Sequence, residues 1–110
     1  MKIPTNINIA GLNWTIKCVD PNSHELVAGT TVGHIYYDQL LIVYSQHLHP
    51  DIAEQTVLHE LTHAVMFMLG RASDSKIDLD ESFIDSFSMY QHQILQQFVD
   101  HNVIDELVDE

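Results

Sequence analysis

The stretch Pro50-Asp51-Ile52-Ala53-Glu54-Gln55-Thr56-Val57-Leu58-His59-Glu60-Leu61-Thr62-His63-Ala64-Val65-Met66-Phe67-Met68-Leu69-Gly70 changes the period of the chain. Its apolar residues fall at Ala53, Val57, Leu61, Ala64, Val65 and Met68, at steps of three and four, which predicts a helix with one buried stripe. Pro50 suits the first turn of that helix, and Gly70 suits its stop.

The pentad His59-Glu60-Leu61-Thr62-His63 lies in the middle of this helix. Residues four apart on a helix differ by about 40° in azimuth and ~6 Å in rise, so both imidazoles leave the same side. Two neutral histidine nitrogens so placed can share one zinc ion. Glu60 lies on the flank of that side, where it can take a proton from water on the metal without being a ligand. With 8 histidines in the chain, composition alone predicts only about 0.03 such pentads. The bland alternative is a surface helix with two solvated histidines, which sits poorly beside Leu58 and Leu61.

A hydrolytic zinc site needs a third protein ligand and an open fourth position. The carboxylates that follow are Asp78, Asp80, Glu81 and Asp85, beyond a polar connector over 71–77. A second helix is expected to start near Asp78 or Asp80, with Phe83, Ile84, Phe87, Ile94, Leu95 and Phe98 as its apolar stripe. Asn102 is expected to break it. Glu81 comes far enough after His63 for a helix end, a turn and the start of a returning helix. Glu81 and Asp85 are one helical step apart, so a ligand at Glu81 brings Asp85 to where it can brace a zinc-bound histidine. Asp78 and Asp80 remain alternative third ligands, and an ordinary solvated acidic face is the non-functional reading.

Before the helix, the pattern is extended. Ile3, Ile7 and Ile9, then Leu12, Trp14, Ile16 and Cys18, alternate with polar residues around a break at Gly11. Residues 20–24 form a loop that Gly29 is expected to close. Thr31 to Tyr37 and Leu40 to Ser45 form a second extended pair around Asp38-Gln39, and the unbroken apolar run Leu40 to Tyr44 suits a strand covered on both faces or one beside a binding groove. The expected architecture is α+β: a small, mostly antiparallel sheet, then an active-site helix and a glutamate-bearing helix, in a single domain over 1–110.

Composition narrows the function classes. The chain has 110 residues, 45% hydrophobic, with a formal net charge of −12. Phosphate backbones and anionic lipid should repel it, so nucleic-acid and membrane-surface binding are not expected. Cys18 is the one cysteine, read as a buried free thiol, which suits a reducing compartment. The first residues lack the apolar core of a signal peptide, and no run approaches the ~20 apolar residues of a membrane span, so a cytoplasmic location is expected. His47 and His49 read as loop, and Met66, Met68 and Met89 as core filler.

The pentad followed by Glu81 and Asp85 resembles the gluzincin metallopeptidases. The run His59 to Val65 is similar to the active-site helix of the thermolysin family. The small size and the segment Glu81 to Gln91 are closer to short, single-domain, phage-associated metallopeptidases. The resemblance implies a minimal zincin-like fold and a zinc-dependent peptidase. In it His59, His63 and Glu81 bind Zn2+, Glu60 is the general base, Asp85 supports a histidine, and a peptide or protein is the substrate. It also implies that the strand nearest the active-site helix, taken as Leu40 to Ser45, binds extended peptide along its edge. The tyrosine or histidine that such enzymes aim at the oxyanion comes from an additional domain that these residues lack. Tyr36, Tyr37, Tyr44, Tyr90, His92 and His101 are the candidates to replace it. The alternative function is a zinc-binding interaction module without hydrolytic activity, directed at a basic partner protein.

Overall fold

A computed structural model describes residues 2–26, 31–70 and 81–108, without the side chains of 81–85, 88 and 104–108. Four strands, β1 (Asn6–Ile9), β2 (Leu12–Val19), β3 (Gly33–Tyr36) and β4 (Leu41–Ser45), precede two helices, α1 (Pro50–Met68) and α2 (Glu81–Val108). The strands form one sheet in the order β1-β2-β4-β3. β1–β2 and β3–β4 pair antiparallel, whereas β2–β4 pair parallel. The α+β architecture and the mostly antiparallel sheet therefore agree with the sequence pattern.

Both helices lie on one face of the sheet. Ile7, Ile9, Trp14, Ile16 and Ile42 meet Val57, Leu61, Ala64, Val65, Ile94 and Phe98 there, and all are buried. On the opposite face Val19, Leu26 and Val43 form a small second cluster. β4 is therefore sandwiched, as its unbroken apolar run requires: Ile42 faces one cluster and Val43 the other.

β4 is also interior to the sheet, so it cannot offer a free edge to peptide. The edge beside α1 belongs to β3. The Ser45 N–H donates to Val32 O at 2.9 Å, which makes position 32 a hydrogen-bonded pair position. By alternation, the N–H and C=O groups of Gly33 and Ile35 face outward. The other edge is closed by α2. Asn8 N–H donates to Gln97 Oε1 at 2.8 Å, and Gln97 Nε2 donates back to Asn8 O at 2.7 Å. Asn102 treats the backbone of Lys2 in the same way, at 2.8 and 3.1 Å.

Several expectations are corrected here. Asn102 does not break α2, because its amide is held within the helix and to the N-terminal segment, donating to Phe98 O as well as pairing with the backbone of Lys2. Cys18 is exposed rather than buried, since the helical layer ends before this corner of β2. Leu95 and Met89 are exposed, lying off the stripe that Ile94 and Phe98 bury. Asp38-Gln39 belongs to a short 3-10 turn, Tyr37–Gln39, closed by Leu40 at φ 49. The starts proposed at Asp78 and Asp80, the connector over 71–77 and Gly29 lie outside the described residues.

α1 begins and ends as its sequence requires. His49 caps it, with Nδ1 accepting from Asp51 N–H at 3.1 Å. Gly70, at φ 73, leads the chain out. The helix approaches β3 so closely that a Cβ added at Gly33 would stand 2.5 Å from Thr56 Cγ2. Gly33→Ala should therefore lose about 1–3 kcal/mol of stability through overpacking. Adding Thr56→Ser should restore most of it, since the serine hydroxyl can keep the bond to Ile52 O. Urea unfolding checks both; a Gly33→Ala protein as stable as the parent would refute the close approach.

Candidate active site

The sequence places His59 and His63 one helical step apart, and the structure brings their rings together. The ring centroids are 4.9 Å apart and the planes meet at 77°. Both side chains are exposed, so their nitrogens are open to a ligand from solvent. Glu60 differs sharply, being only 9% exposed. It points toward the β3 side of the helix, where its Cγ would lie 3.6 Å from a Cβ at Gly33. The buried carboxylate and the His59 imidazole share the rim of one depression of about 370 Å³, lined also by Thr31, Val32, Gly33, Gln55 and Thr56. Those five residues were not singled out from sequence. Gly33 carried a signal, since a lone glycine within a strand pattern marks close backbone approach.

The third ligand of the expected set is not brought into view. Glu81 and Asp85 occupy the first turns of α2, but their side chains lie outside the described residues. Among the described residues no group of three metal-ligating side chains occurs. The donor chemistry of His59 and His63 nevertheless suits zinc: two neutral imidazoles one turn apart, open on one side, with a carboxylate beside them. What holds α2 near this site is Gln91, whose Nε2 donates to Thr62 Oγ1 at 3.4 Å. Thr62 in turn donates to Leu58 O at 2.9 Å.

The tyrosine candidates separate cleanly. The Tyr36 hydroxyl donates to Glu25 O at 2.7 Å, and Tyr36 packs on the sheet face opposite the helices. Tyr44 lies against Cys18, and burial together with that thiol raises its pKa. His92 lines a separate depression of about 440 Å³ with Asn8, Gly11, Gln93, Gln96 and Gln97. That space is slightly larger than the one at Glu60 but, among its lining residues, has only His92 as a titratable group. Tyr37 is the tyrosine that feels Glu60: burial first, then the negative charge of Glu60, raises its pKa above the usual 10.0. It stacks on Phe67 with centroids 4.7 Å apart.

A raised folded-state pKa means that the neutral phenol favours the native state. This contribution is intact below pH 10 and is lost as pH climbs through the folded value. Stability of the parent should thus fall more steeply above pH 10 than that of Tyr37→Phe, measured by urea unfolding across alkaline pH. In Glu60→Gln the Tyr37 titration, followed by ultraviolet absorbance, should move down only part of the way, because burial is the larger cause. A Tyr37 that titrates at its ordinary value in the parent would overturn this placement.

In comparisons with known proteins, no family model, curated protein or solved structure matches the chain.

Proposed function

We propose that the chain is a small zinc-dependent peptidase of gluzincin type. One observation carries the reading: two neighbouring exposed imidazoles on α1, with a buried carboxylate on their flank and an open strand edge. His59 and His63 would hold the metal with Glu81 as third ligand, and Asp85 would orient one of the histidines. Zinc, when bound, supplies a Lewis acid that acidifies water and polarises a peptide carbonyl.

The remaining work falls to the chain's own groups. Glu60 accepts a proton from the attacking water and returns it to the leaving amine. Its burial fixes the carboxylate in place. The outward N–H and C=O groups of Gly33 and Ile35 pair with an extended substrate, in the way a sheet accepts an added strand. This moves the substrate edge from β4, where the resemblance placed it, to β3. Tyr37 is the group proposed to donate a hydrogen bond to the oxyanion, since it is the tyrosine coupled to Glu60. A peptidase working in this way needs no positive surface, which is consistent with a formal charge of −12.

Purified protein should bind one zinc per chain, as read by metal analysis and calorimetric titration. His59→Ala, His63→Ala and Glu81→Ala should each weaken that binding about a hundredfold or more. Glu60→Gln should keep zinc and lose cleavage of a casein or peptide-library substrate by a factor of roughly 10²–10⁴. Full proteolysis by zinc-loaded Glu60→Gln would sink the mechanism. Zinc binding with no cleavage by the parent would favour the non-hydrolytic interaction module instead.

A further inference from the structure

Ile52, Thr56, His59, His63 and Phe67 recur at steps of four, three, four and four, so they share one side of α1. This is the side that borders β3, as the approach of Thr56 to Gly33 fixes. Its middle is polar and its two ends are not. Ile52 is 47% exposed and Phe67 41%. At the Phe67 end an apolar companion comes from the strand side: Tyr37, just past the end of β3, stacks on Phe67. The strand and the helix run the same way here, Gly33 beside Thr56 and Tyr37 beside Phe67.

We infer that this site selects extended peptide segments carrying an apolar side chain at each end of a stretch of about seven residues. The inference rests on the peptidase reading for the site and adds what the site recognises. The fifteen residue steps from Ile52 to Phe67 correspond to about 22 Å of helix axis at 1.5 Å per step. An extended segment covers that length in roughly seven residues at ~3.3 Å each. The centre of the histidine pair lies about four such residues from the Ile52 end and about three from the Phe67 end. Apolar side chains held at Ile52 and at Phe67–Tyr37 would set the register of the segment. The backbone between them could then pair with Gly33 and Ile35 whatever its side chains, because edge pairing uses main-chain groups alone.

The test uses the full chain carrying Glu60→Gln, loaded with zinc, so that the probe is bound rather than consumed. The probe is a short acetylated and amidated peptide with two leucines about seven residues apart in an alanine and serine background. Calorimetric or fluorescence titration should give about tenfold weaker binding when either leucine is replaced by serine. Ile52→Ser should erase discrimination at one leucine and Phe67→Ser at the other, with circular dichroism confirming that each variant is folded. Equal binding of the serine peptides, discrimination that survives in both variants, or no binding of the two-leucine peptide would each overturn the inference. The parent reading fails separately. Leucine-dependent binding without cleavage by the parent chain sinks hydrolysis and upholds this selectivity. Cleavage indifferent to the leucines does the reverse.

Discussion

The close passage of α1 over β3, at the point where residue 33 has no side chain, is the constraint on which the site depends. A helix packed on a sheet ordinarily stands off by the thickness of two side chains. At Gly33 there is only one, and Thr56 and Glu60 fill the space. That contact completes the burial of Glu60, a carboxylate at the edge of the apolar stripe that is only 9% exposed. It also leaves His59 beside the strand edge, on the rim of the same depression as Gly33. A larger residue at position 33 would lift the helix and separate these functions.

The far end of the groove is braced from below. Trp14, fully buried on β2, meets both Tyr37 and Phe67 edge-on, with centroids 6.5 Å away in each case. Its indole Nε1 is buried with no hydrogen-bond partner among the described residues. The ring is therefore held by packing and aromatic geometry rather than by a polar anchor. Tyr37 owes its position to this cluster and to the 3-10 turn that begins with it. It thus stands on a rigid support despite following directly from an edge strand.

Much of this was legible in the sequence because periodicity reports burial. The three-four spacing from Ala53 to Met68 gave α1 to within a residue, and the unbroken apolar run over 40–44 fitted a strand covered on both faces. The histidine pair followed from helical geometry alone. What could not be read was which strands neighbour which. Period two says which face a residue lies on, but not whether its strand is inside the sheet, so the interior place of β4 and the edge place of β3 had no sequence signal. Asn102 misled for a related reason. An asparagine in a helix pattern reads as a stop until its amide is seen to pair with backbone 100 residues earlier in sequence. Cys18 followed the alternation of Trp14 and Ile16, yet alternation does not show where the covering helices end.

The amides of Gln97 and Asn102 join residues 89 and 100 positions apart, and this has a kinetic side. Until α2 is made and docked, β1 presents an unpaired edge, the form of surface that templates association between chains. During synthesis from the N-terminus, that edge stays open until residues 97 and 102 have emerged. Contacts of such separation also slow folding, because a long loop must close before they reward it. The sheet and α1 should then form first as an adhesive intermediate, and the arrival of the last helix is what ends its tendency to aggregate.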